Sequence, residues 1–484
     1  MKRDEGNIDR RDFMRRVVTL LGASALGGIV GEDGFAADEA QKSGSAKEKN
    51  KALPNIVWLI SDDASLDTVH CMGNAGIQTP NLDRLCSEGT YFTSAFVTAP
   101  SCSPCRSTMF TGQVAHTIGT HELHSPIPQG VKMLPNYLRE KGYRSGLFGK
   151  NHMGKYAESC FDVYDAKIPK WEEFLDGMPA DMPFFMTIAF YDPHRPFRKG
   201  GIEHPHDPAK VMVPPYLVDN SETREELAQY YDGITRNDVV IGKVLKKLDE
   251  KGFSENIIIV YVGDNGMPFA GAKTTLYDSG IGTPFIVKWN GVAKAGAKGD
   301  GLVSVIDLSP TMLEAAGIIK PKEMVGASFF KMLKNTNERI NKYIFAERNW
   351  HCIDDHIRAV RTEQYKYIRN YYPNERVGYP VDLTREQSFQ TMRKMNYENK
   401  LTKEQMQRVF GKRLPEELYD IKDDPWEFKN LTDDPKYADV LKELRAVLDK
   451  WIAETKDVPP TQRLKDTQDP ETGETINEYG PRDK

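Results

Sequence analysis

The sequence predicts an α/β protein with a doubly wound, mostly parallel sheet, followed by a smaller C-terminal α+β part with an antiparallel sheet. Three observations support this fold class. Continuous apolar runs alternate with helical segments, as they do in βαβ units. These runs lead directly into polar residues, which puts polar side chains at the carboxyl ends of strands. After about residue 340 the strand-like segments become short, which is typical of antiparallel pairing.

The first predicted strand is the run NIVWLIS at 55–61. Its continuous apolar character is typical of a parallel strand that is buried on both faces. A helix follows in TPNLDRLCSEG, where Thr79 is the N-cap and Pro80 takes the first helical position. We expect this helix to end at Gly89.

Two more apolar runs, at 143–150 and 183–190, predict strands of the same sheet. A long helix is predicted from near Ser221 to Gly252, and the run at 256–262 predicts the strand that follows it. Ligands of doubly wound sheets bind at the carboxyl ends of the strands. We therefore expect the polar clusters that follow these strands to converge in one cleft.

The pattern divides the rest of the chain into a catalytic domain at 52–340, a C-terminal subdomain at 341–456 and a polar tail at 457–484. Short antiparallel strands are predicted in KYIFAERNWH, HIRAVRTEQYKYIRN and ELYDI. A final amphipathic helix follows. Its apolar face is formed by Val440, Leu441, Leu444, Val447, Leu448 and Trp451. The tail is rich in polar residues and proline, so we expect it on the surface or disordered.

The N-terminus predicts export. Arg10 and Arg11 precede an apolar run rich in glycine and alanine from Val17 to Gly31, which is the layout of a twin-arginine signal peptide. The run is about 15 residues long, against about 20 for a membrane span. We therefore expect a signal peptide at 1–37, a flexible leader up to residue 51, no stable membrane span after cleavage, and a periplasmic or secreted protein.

Composition excludes some partners. The formal net charge is −5, with 39% hydrophobic and 28% charged residues, as in ordinary soluble proteins. This balance argues against general affinity for nucleic acid, so an anionic ligand must be held by locally placed cations. The six cysteines show no repeated spacing, and the sequence alone does not pair them.

Two polar pairs follow predicted strands. Asp62 and Asp63 come after one strand, and Asp264 and Asn265 come after another. Four oxygen-bearing side chains with no soft ligand nearby suit a hard divalent cation, Ca²⁺ or Mg²⁺. Asp and Asn at strand ends also cap turns, and for either pair alone that alternative is stronger. The occurrence of both pairs in one framework favours the cation site.

The stretch APSCSPCRSTMFTG contains Cys102 and Cys105. Ser103 and Pro104 can cap and start a helix, which leaves Cys102 at the positive end of the helix dipole, where a thiol pKa is lowered. A redox C-x-x-C pair needs a thioredoxin-like βαβ unit, which the sequence does not show. The redox interpretation also leaves Arg106 without a role.

This stretch resembles the signature of the type I, formylglycine-dependent sulfatases, C-x-P-x-R followed after a short spacer by T-G. In that family the first cysteine, here Cys102, is oxidised to formylglycine by a maturation enzyme, and Cys105 takes a variable position. The resemblance covers about residues 52–456 and implies an alkaline-phosphatase-like fold. Further matching motifs are SDD at 61–63, GKNHMG at 149–154, DPHRP at 192–196, GDNG at 263–266 and ELYDIKDDPWEFKNL at 417–431.

The resemblance implies a role for each polar cluster. Ca²⁺ would be held by Asp62, Asp63, Asp264, Asn265 and the modified Cys102. Arg106 would hold the formylglycine and the carboxylates beside the metal. Lys150 and Lys273 would bind the sulfate. His152 would act as a base on the hydrated aldehyde, and His194 would protonate the leaving group.

Each residue alone has an ordinary alternative. Arg106 could form a surface ion pair, Lys150 could be a solvated strand end, and His194 could be a hydrogen-bonded structural histidine. These alternatives lose weight because the residues fall together in the motifs of one family. The assignment of Lys273 has weaker support. It depends only on the segment GAKTTLY, which follows GDNG after a short loop.

Within the family, the segments GDNGMPFAGAKTTLY and KWIAETKD are most similar to the sulfamidase branch, which removes N-linked sulfate from glucosamine. Lys273 departs from the arginine that the branch tends to have. In AERNWH, Arg348 and His351 are predicted substrate contacts, since arginine suits carboxylates. Glu347 and Trp350 are further candidates, and all four could equally be packing residues. A sulfated saccharide, with an O-sulfate or N-sulfate, is the predicted substrate.

Positive charge at Lys150, Lys273, Arg348 and His351 favours exo-action on a chain end over sliding along a polymer. Two other classes stay open. A phosphatase or phosphodiesterase of the same superfamily needs two zinc-type sites with additional histidine ligands. A non-catalytic glycan-binding relative would not need Cys102.

Overall fold

The structure, a computed structural model, describes residues 52–469 and 474–477. The predicted signal peptide at 1–37 and the leader that follows it lie outside the described residues. Within the described ranges, no helix combines the length and the apolar character that crossing a membrane requires.

The described strands follow one another along the chain. They are β1 (Asn55–Ser61), β2 (Thr90–Phe92), β3 (Ala95–Phe96), β4 (Arg144–Gly149), β5 (Val163–Asp165), β6 (Phe184–Ala189), β7 (Ile257–Gly263), β8 (Phe285–Trp289), β9 (Ala297–Gly299), β10 (Val303–Ser304), β11 (Ile344–Arg348), β12 (Ile357–Arg361), β13 (Tyr365–Asn370) and β14 (Glu416–Asp420).

The described α-helices connect and cover these strands. They are α1 (Pro80–Glu88), α2 (Cys102–Thr111), α3 (Leu134–Glu140), α4 (Lys155–Ser159), α5 (Trp171–Asp176), α6 (Ser221–Glu250), α7 (Asp278–Ile281), α8 (Leu308–Ala315), α9 (Phe330–Lys334), α10 (Val381–Thr384), α11 (Gln387–Tyr397), α12 (Lys403–Phe410) and α13 (Ala438–Thr455).

The large sheet has the strand order β5-β4-β6-β1-β7-β8-β2-β9. Its central strands β4, β6, β1 and β7 pair in parallel. Strand β8 runs antiparallel to both of its neighbours, β7 and β2. A separate sheet of order β11-β12-β13-β14 is antiparallel throughout. The predicted fold class, a mostly parallel sheet with a smaller antiparallel sheet after it, is confirmed.

The central strand β1 is buried on both faces, as its apolar run predicts. Trp58 points into one apolar core and Leu59 into a second core on the other side of the sheet. Helix α2 contributes Met109 to the first core, and the long helix α6 contributes Leu245 to the second. Helices on both faces therefore leave the strand ends as the place where polar side chains of β1 and β7 gather.

The small sheet is covered by the last helix. Leu444 and Leu448 of α13 pack with Val360 of β12 and Leu418 of β14, as the amphipathic pattern predicts. The sequence interpretation missed α11 and α12, which lie between β13 and β14 and share a third apolar core with α6. All strands of this sheet follow residue 340, and the domain boundary there stays a prediction.

The described part of the tail is held against the loop before β12. The Thr467 amide donates to the Cys352 carbonyl at 2.9 Å, and the Trp350 indole N–H donates to the Lys465 carbonyl at 3.1 Å. Asp457 forms a buried ion pair with Arg358. These contacts hold part of a segment that, from its composition, was expected on the surface or disordered.

One disulfide joins Cys71 to Cys86 of α1. Cys102, Cys105 and the remaining cysteines have free thiols. The pairing, which the sequence left open, therefore does not involve the C-x-x-C stretch.

The packing of α13 predicts a stability effect. Leu448 is 0% exposed, so Leu448→Ala should lower the free energy of unfolding by about 2–5 kcal/mol through lost burial and a residual cavity. Urea unfolding followed by circular dichroism measures it. Ile319→Ala, at a side chain that is 93% exposed, should change the same quantity by less than about 0.5 kcal/mol. Equal effects of the two substitutions would contradict the packing described here.

Candidate active site

The polar residues after β1 and β7 meet because these strands are neighbours. Ser61 pairs with Gly263 at the carboxyl ends of the two strands. The Asp63 amide, in a left-handed backbone conformation with φ of 59°, donates to Asp264 Oδ1 at 2.9 Å. Parallel pairing thus brings Asp63 and Asp264, which are about 200 residues apart in the sequence, to the same place.

Asn265 completes this strand-end group. Its Nδ2 donates to Asp63 Oδ1 at 2.7 Å and to the Gly266 carbonyl at 2.9 Å. Its Oδ1 is buried without a hydrogen-bond partner, and the same is true of Asp62 Oδ1. Buried oxygen atoms without partners are costly, so both atoms suit a positively charged ligand.

Helix α2 brings Cys102 to the same point. The helix begins at Cys102 with Ser101 as the N-cap, two residues before the predicted Ser103, and all ten of its residues are buried. Cys102 Sγ lies 3.8 Å from Asp63 Oδ1. Burial raises the pKa of the Cys102 thiol well above its usual range, with Lys150 opposing and Asp264 adding to the shift. The expectation of a thiol pKa lowered by the helix N-terminus is therefore wrong.

A metal ion fits this arrangement. The ligand atoms of Asp62, Asp63, Cys102 and Asp264 all lie within 4.8 Å of one another. Three of these groups are carboxylates, and the neighbouring Asn265 offers an amide oxygen. Hard oxygen donors of this kind suit Ca²⁺.

Arg106 of α2 connects this helix to the carboxylates at the strand ends. Its Nε donates to Asp264 Oδ2 at 2.8 Å, and its Nη2 lies 3.6 Å from Asp62 Oδ1. Its Nη1 donates to the Lys150 carbonyl at 3.1 Å. The side chain is 1% exposed, so the alternative of a surface ion pair does not describe it.

Two lysines lie against the carboxylates. Lys150 Nζ is 2.6 Å from Asp62 Oδ2, and Lys273 Nζ is 2.7 Å from Asp63 Oδ2. Burial opposes ionisation of Asp62, but Lys150 and then His194 outweigh it and lower the pKa of the carboxyl. Burial likewise opposes the charge of Lys150, and Asp62 outweighs it, so the pKa of Lys150 is raised. Burial opposes the charge of Lys273 as well, and chiefly Asp63 outweighs it, so the pKa of Lys273 is also raised. Both lysines are thus charged and have short contacts to the strand-end carboxylates.

His194 faces the same group from the loop after β6. Its Nδ1 contacts the Arg195 carbonyl at 2.5 Å, so Nδ1 carries the hydrogen. Its Nε2 lies 3.9 Å from Asp63 Oδ2 and 3.7 Å from Asp382 Oδ2. The carbonyl contact therefore orients the ring with Nε2 toward the carboxylates.

His152 forms a pair with a second histidine. Its Nε2 lies 2.6 Å from His124 Nδ1, and the His124 amide donates to Ser103 Oγ at 2.7 Å. Burial, followed by the charge of Lys150, lowers the pKa of His152, so its ring is neutral at neutral pH. Its Nδ1 has no hydrogen-bond partner and is available as an acceptor, while burial and Lys150 oppose a full positive charge on the ring.

The AERNWH segment lies beside this group, at the end of β11. Arg348 and His351 line a small cavity of about 230 Å³ together with Ser101 and Thr274, the neighbours of Cys102 and Lys273 in the sequence. Arg348 is 5% exposed, forms an ion pair with Asp355 at 2.7 Å and donates to the Gly378 carbonyl at 2.9 Å. Its predicted contact with substrate stays a prediction.

The other two candidates of this segment are held by the protein interior. Glu347 is 1% exposed, hydrogen-bonds His116 and donates its amide to the Thr98 carbonyl at 2.8 Å. The Trp350 ring is buried, with its N–H bonded to the tail. Both fit the packing alternative.

Two residues near the site were not singled out from the sequence. His124 lies in THELHSP, where a histidine close to the cysteine motif is a weak signal. Asp382 has no motif around it, and α10 brings it to Lys273 from more than 100 residues away. Only the tertiary structure identifies Asp382.

Comparisons with known proteins identify the family of this chain. A family model described as sulfatase matches residues 54–168 and 163–318, and one described as N-sulphoglucosamine sulphohydrolase, C-terminal, matches 271–414. An ulvan-active sulfatase of Formosa agariphila is 31% identical over 457 residues, covering 82% of this chain and 74% of that protein. The N-sulphoglucosamine sulphohydrolase of Homo sapiens is 28% identical over 469 residues, covering 83% of this chain and 90% of that protein.

The fold is also similar to that of a solved structure, in which a protein is in complex with its substrate, D-glucosamine-2-N,6-O-disulfate. The two chains superpose with a TM-score of 0.67 and 19% sequence identity, and the match covers 84% of this chain and 99% of that one. At this identity the likeness shows the fold alone. It agrees with the predicted alkaline-phosphatase-like fold, and the family matches confirm the resemblance to the sulfamidase-like branch. Since the sulfatase match runs from residue 54 to residue 318 of 484, the chain belongs to the sulfatase family.

Proposed function

We propose that this sulfatase removes a sulfate group, as an O-sulfate ester or an N-sulfate, from a sulfated saccharide, with Cys102 matured to formylglycine and one Ca²⁺ bound. The observation that carries the proposal is the meeting of Cys102 with three buried carboxylates, whose ligand atoms all lie within 4.8 Å. No disulfide occupies Cys102, and burial disfavours its thiolate. A redox role is therefore poorly supported.

The cofactors have residues that suit them. Ca²⁺ would be held by Asp62, Asp63, Asp264, Asn265 and residue 102. When present, formylglycine supplies a nucleophilic oxygen and Ca²⁺ supplies positive charge beside the sulfuryl group. A phosphatase of the two-zinc type would need further histidines, whereas His194 is the histidine that the described residues bring to the carboxylate group.

The cations of the chain would bind the sulfate. Lys150 and Lys273 contact Asp62 and Asp63, which cluster with Cys102. Their ammonium groups would be offered to the sulfuryl oxygens, where negative charge accumulates during reaction. Arg106 keeps Asp62 and Asp264 in place through its ion pairs. The positive groups are thus fixed before the substrate arrives.

Two histidines would move protons. His194 would donate a proton from Nε2 to the leaving atom of the saccharide, because its Nδ1 is engaged by the Arg195 carbonyl. His152 would accept a proton at Nδ1, which has no hydrogen-bond partner, while His124 holds the ring through Nε2. The proton acceptor has to be a neutral ring, and the lowered pKa of His152 provides one.

Exo-action is the proposed mode. Cys102 is 2% exposed and Lys273 is 1% exposed, so the reacting sulfate has to enter a recess. A terminal sugar enters a recess more easily than an internal unit of a polymer. The net charge of −5 provides no broad basic surface for holding a long polyanion.

Export completes the proposal. The Arg10–Arg11 motif supports the twin-arginine route to the periplasm or the medium. That route carries folded proteins, so a maturation enzyme would act on Cys102 before export. Sulfated saccharides outside the cell would then be the substrates.

The first test concerns the nucleophile. Cys102→Ala should abolish hydrolysis of 4-nitrophenyl sulfate, whereas Cys105→Ala should keep most of it, because Cys105 lies in the apolar core. Mass spectrometry of the peptide with residue 102 should show an aldehyde in place of the thiol. Equal loss in both variants, or an unmodified thiol in active protein, would contradict the formylglycine mechanism. An unmodified and inactive wild type would favour the glycan-binding alternative.

The second test concerns the metal. Treatment with a chelator should remove activity, and Ca²⁺ should restore it better than Zn²⁺, because the ligand set is dominated by hard oxygen atoms. Elemental analysis of active protein checks the resident ion. Stoichiometric zinc would count against the proposal and in favour of a phosphatase.

The third test concerns exo-action. Sulfated glucosamine oligosaccharides and algal oligosaccharides should release sulfate at least as fast as the parent polymers at equal concentration of chain ends. Chromatography of the products should show loss only from terminal units. Early release from internal units of a long polymer would refute the recessed-site model.

A further inference from the structure

Asp382 lies on the outer side of the proposed sulfate site. Its Oδ2 is 3.7 Å from Lys273 Nζ and 3.7 Å from His194 Nε2. On their other side, the same two nitrogen atoms lie 2.7 Å and 3.9 Å from Asp63 Oδ2. The lysine and the histidine therefore lie between an inner carboxylate and an outer one.

Exposure distinguishes these two carboxylates. The side chain of Asp63 is 0% exposed, whereas that of Asp382 is 24% exposed, and His194 beside it is 32% exposed. Asp63 belongs to the floor of the site with the metal ligands. Asp382 lies on the side that solvent reaches, which is the side from which a saccharide would enter.

The Asp382 carboxylate has room for a ligand group. Both of its ion-pair separations, to Lys273 and to His194, exceed a normal hydrogen-bond length. Burial opposes its ionisation, but Lys273 and then His194 outweigh it and lower the pKa of the carboxyl. It is therefore an ionised acceptor at neutral pH, close to the atom from which His194 would protonate the leaving group.

A carboxylate at this place discriminates between substituents of the sugar. A hydroxyl or N–H group next to the scissile sulfate can donate a charge-assisted hydrogen bond to it. A second sulfate or a carboxylate at the same place would be repelled and would lack a partner. A site whose only task was to attract anions would not need a negative group here.

We propose that Asp382 is a specificity-determining residue, which accepts a hydrogen bond from a hydroxyl or N–H group beside the scissile sulfate and disfavours sugars with a second anionic group there. This inference rests on the proposed sulfatase function. It adds a structural requirement on the substrate that the sequence motifs do not contain.

The test compares matched substrates. The sulfated glucosamine that the wild type cleaves fastest would be prepared with the neighbouring hydroxyl free, O-methylated or itself sulfated, with 4-nitrophenyl sulfate as a reference. Asp382→Ala should lower kcat/KM for the free hydroxyl about tenfold to hundredfold, mainly through KM. The loss for the O-methylated sugar and the aryl sulfate should be much smaller, because the hydrogen bond is already missing.

Two further variants sharpen the comparison. Asp382→Asn should recover part of the activity on the free hydroxyl, since its amide oxygen accepts a hydrogen bond, but it should relax the discrimination against the doubly sulfated sugar. Asp219→Asn removes an exposed carboxylate, 57% exposed and paired with Arg224, and should behave like the wild type on every substrate.

Equal losses on all substrates would overturn the proposal, because Asp382 would then only position Lys273 and His194. Titration calorimetry with Cys102→Ala protein, with and without Asp382→Ala, measures binding without turnover. It should show the same preference for the sugar with the free hydroxyl, and Asp382→Ala should remove it. Absence of that preference in binding would also overturn it. A wild type that is mature and metal-loaded but inactive on every sulfate would instead refute the proposed function.

Discussion

The structure depends on the mutual compensation of buried charges at the ends of β1 and β7. Three carboxylates meet three cations there, and of these six side chains only Lys150 is more than 1% exposed, at 13%. They are Asp62, Asp63 and Asp264, and Arg106, Lys150 and Lys273. A buried charge without a partner costs several kcal/mol, so none of these groups is tolerable alone. The helix α2, the end of β4 and the loop after β7 have to bring their cations to one point for the sheet to keep its carboxylates.

This balance gives the proposed metal a second role besides coordination. Equal numbers of buried positive and negative side chains create no net attraction for an anionic ester. A divalent cation among them would leave the recess positive, and the sulfate would then be drawn into it. Binding of the proposed metal and binding of the substrate would then be coupled. The lysines that pair with the carboxylates are the same groups that would bind the incoming anion.

The inner and outer parts of the site differ in origin. The inner residues lie at strand ends or at the start of α2, where the backbone is fixed by the sheet and by two apolar cores. The outer residues, such as Asp382 and His351, lie on α10 and on the loop after β11. Loops and short helices change without disturbing the core, so the proposed chemistry would belong to the inner part and the proposed selectivity to the outer part.

The sequence by itself predicted the central parallel strands, the short strands after residue 340 and the last helix, because apolar runs, caps and motifs are local signals. It also singled out the residues that meet at the ends of β1 and β7. Strand 55–61 and the helix starting at Pro80 appear with the expected bounds. The tertiary structure alone decided that Cys71 pairs with Cys86, that Cys102 is a buried thiol with a raised pKa, and that Arg348 binds Asp355. It also placed Asp382 beside Lys273. These outcomes depend on which distant segments pack together and how much water they exclude, and no local pattern of residues contains that information.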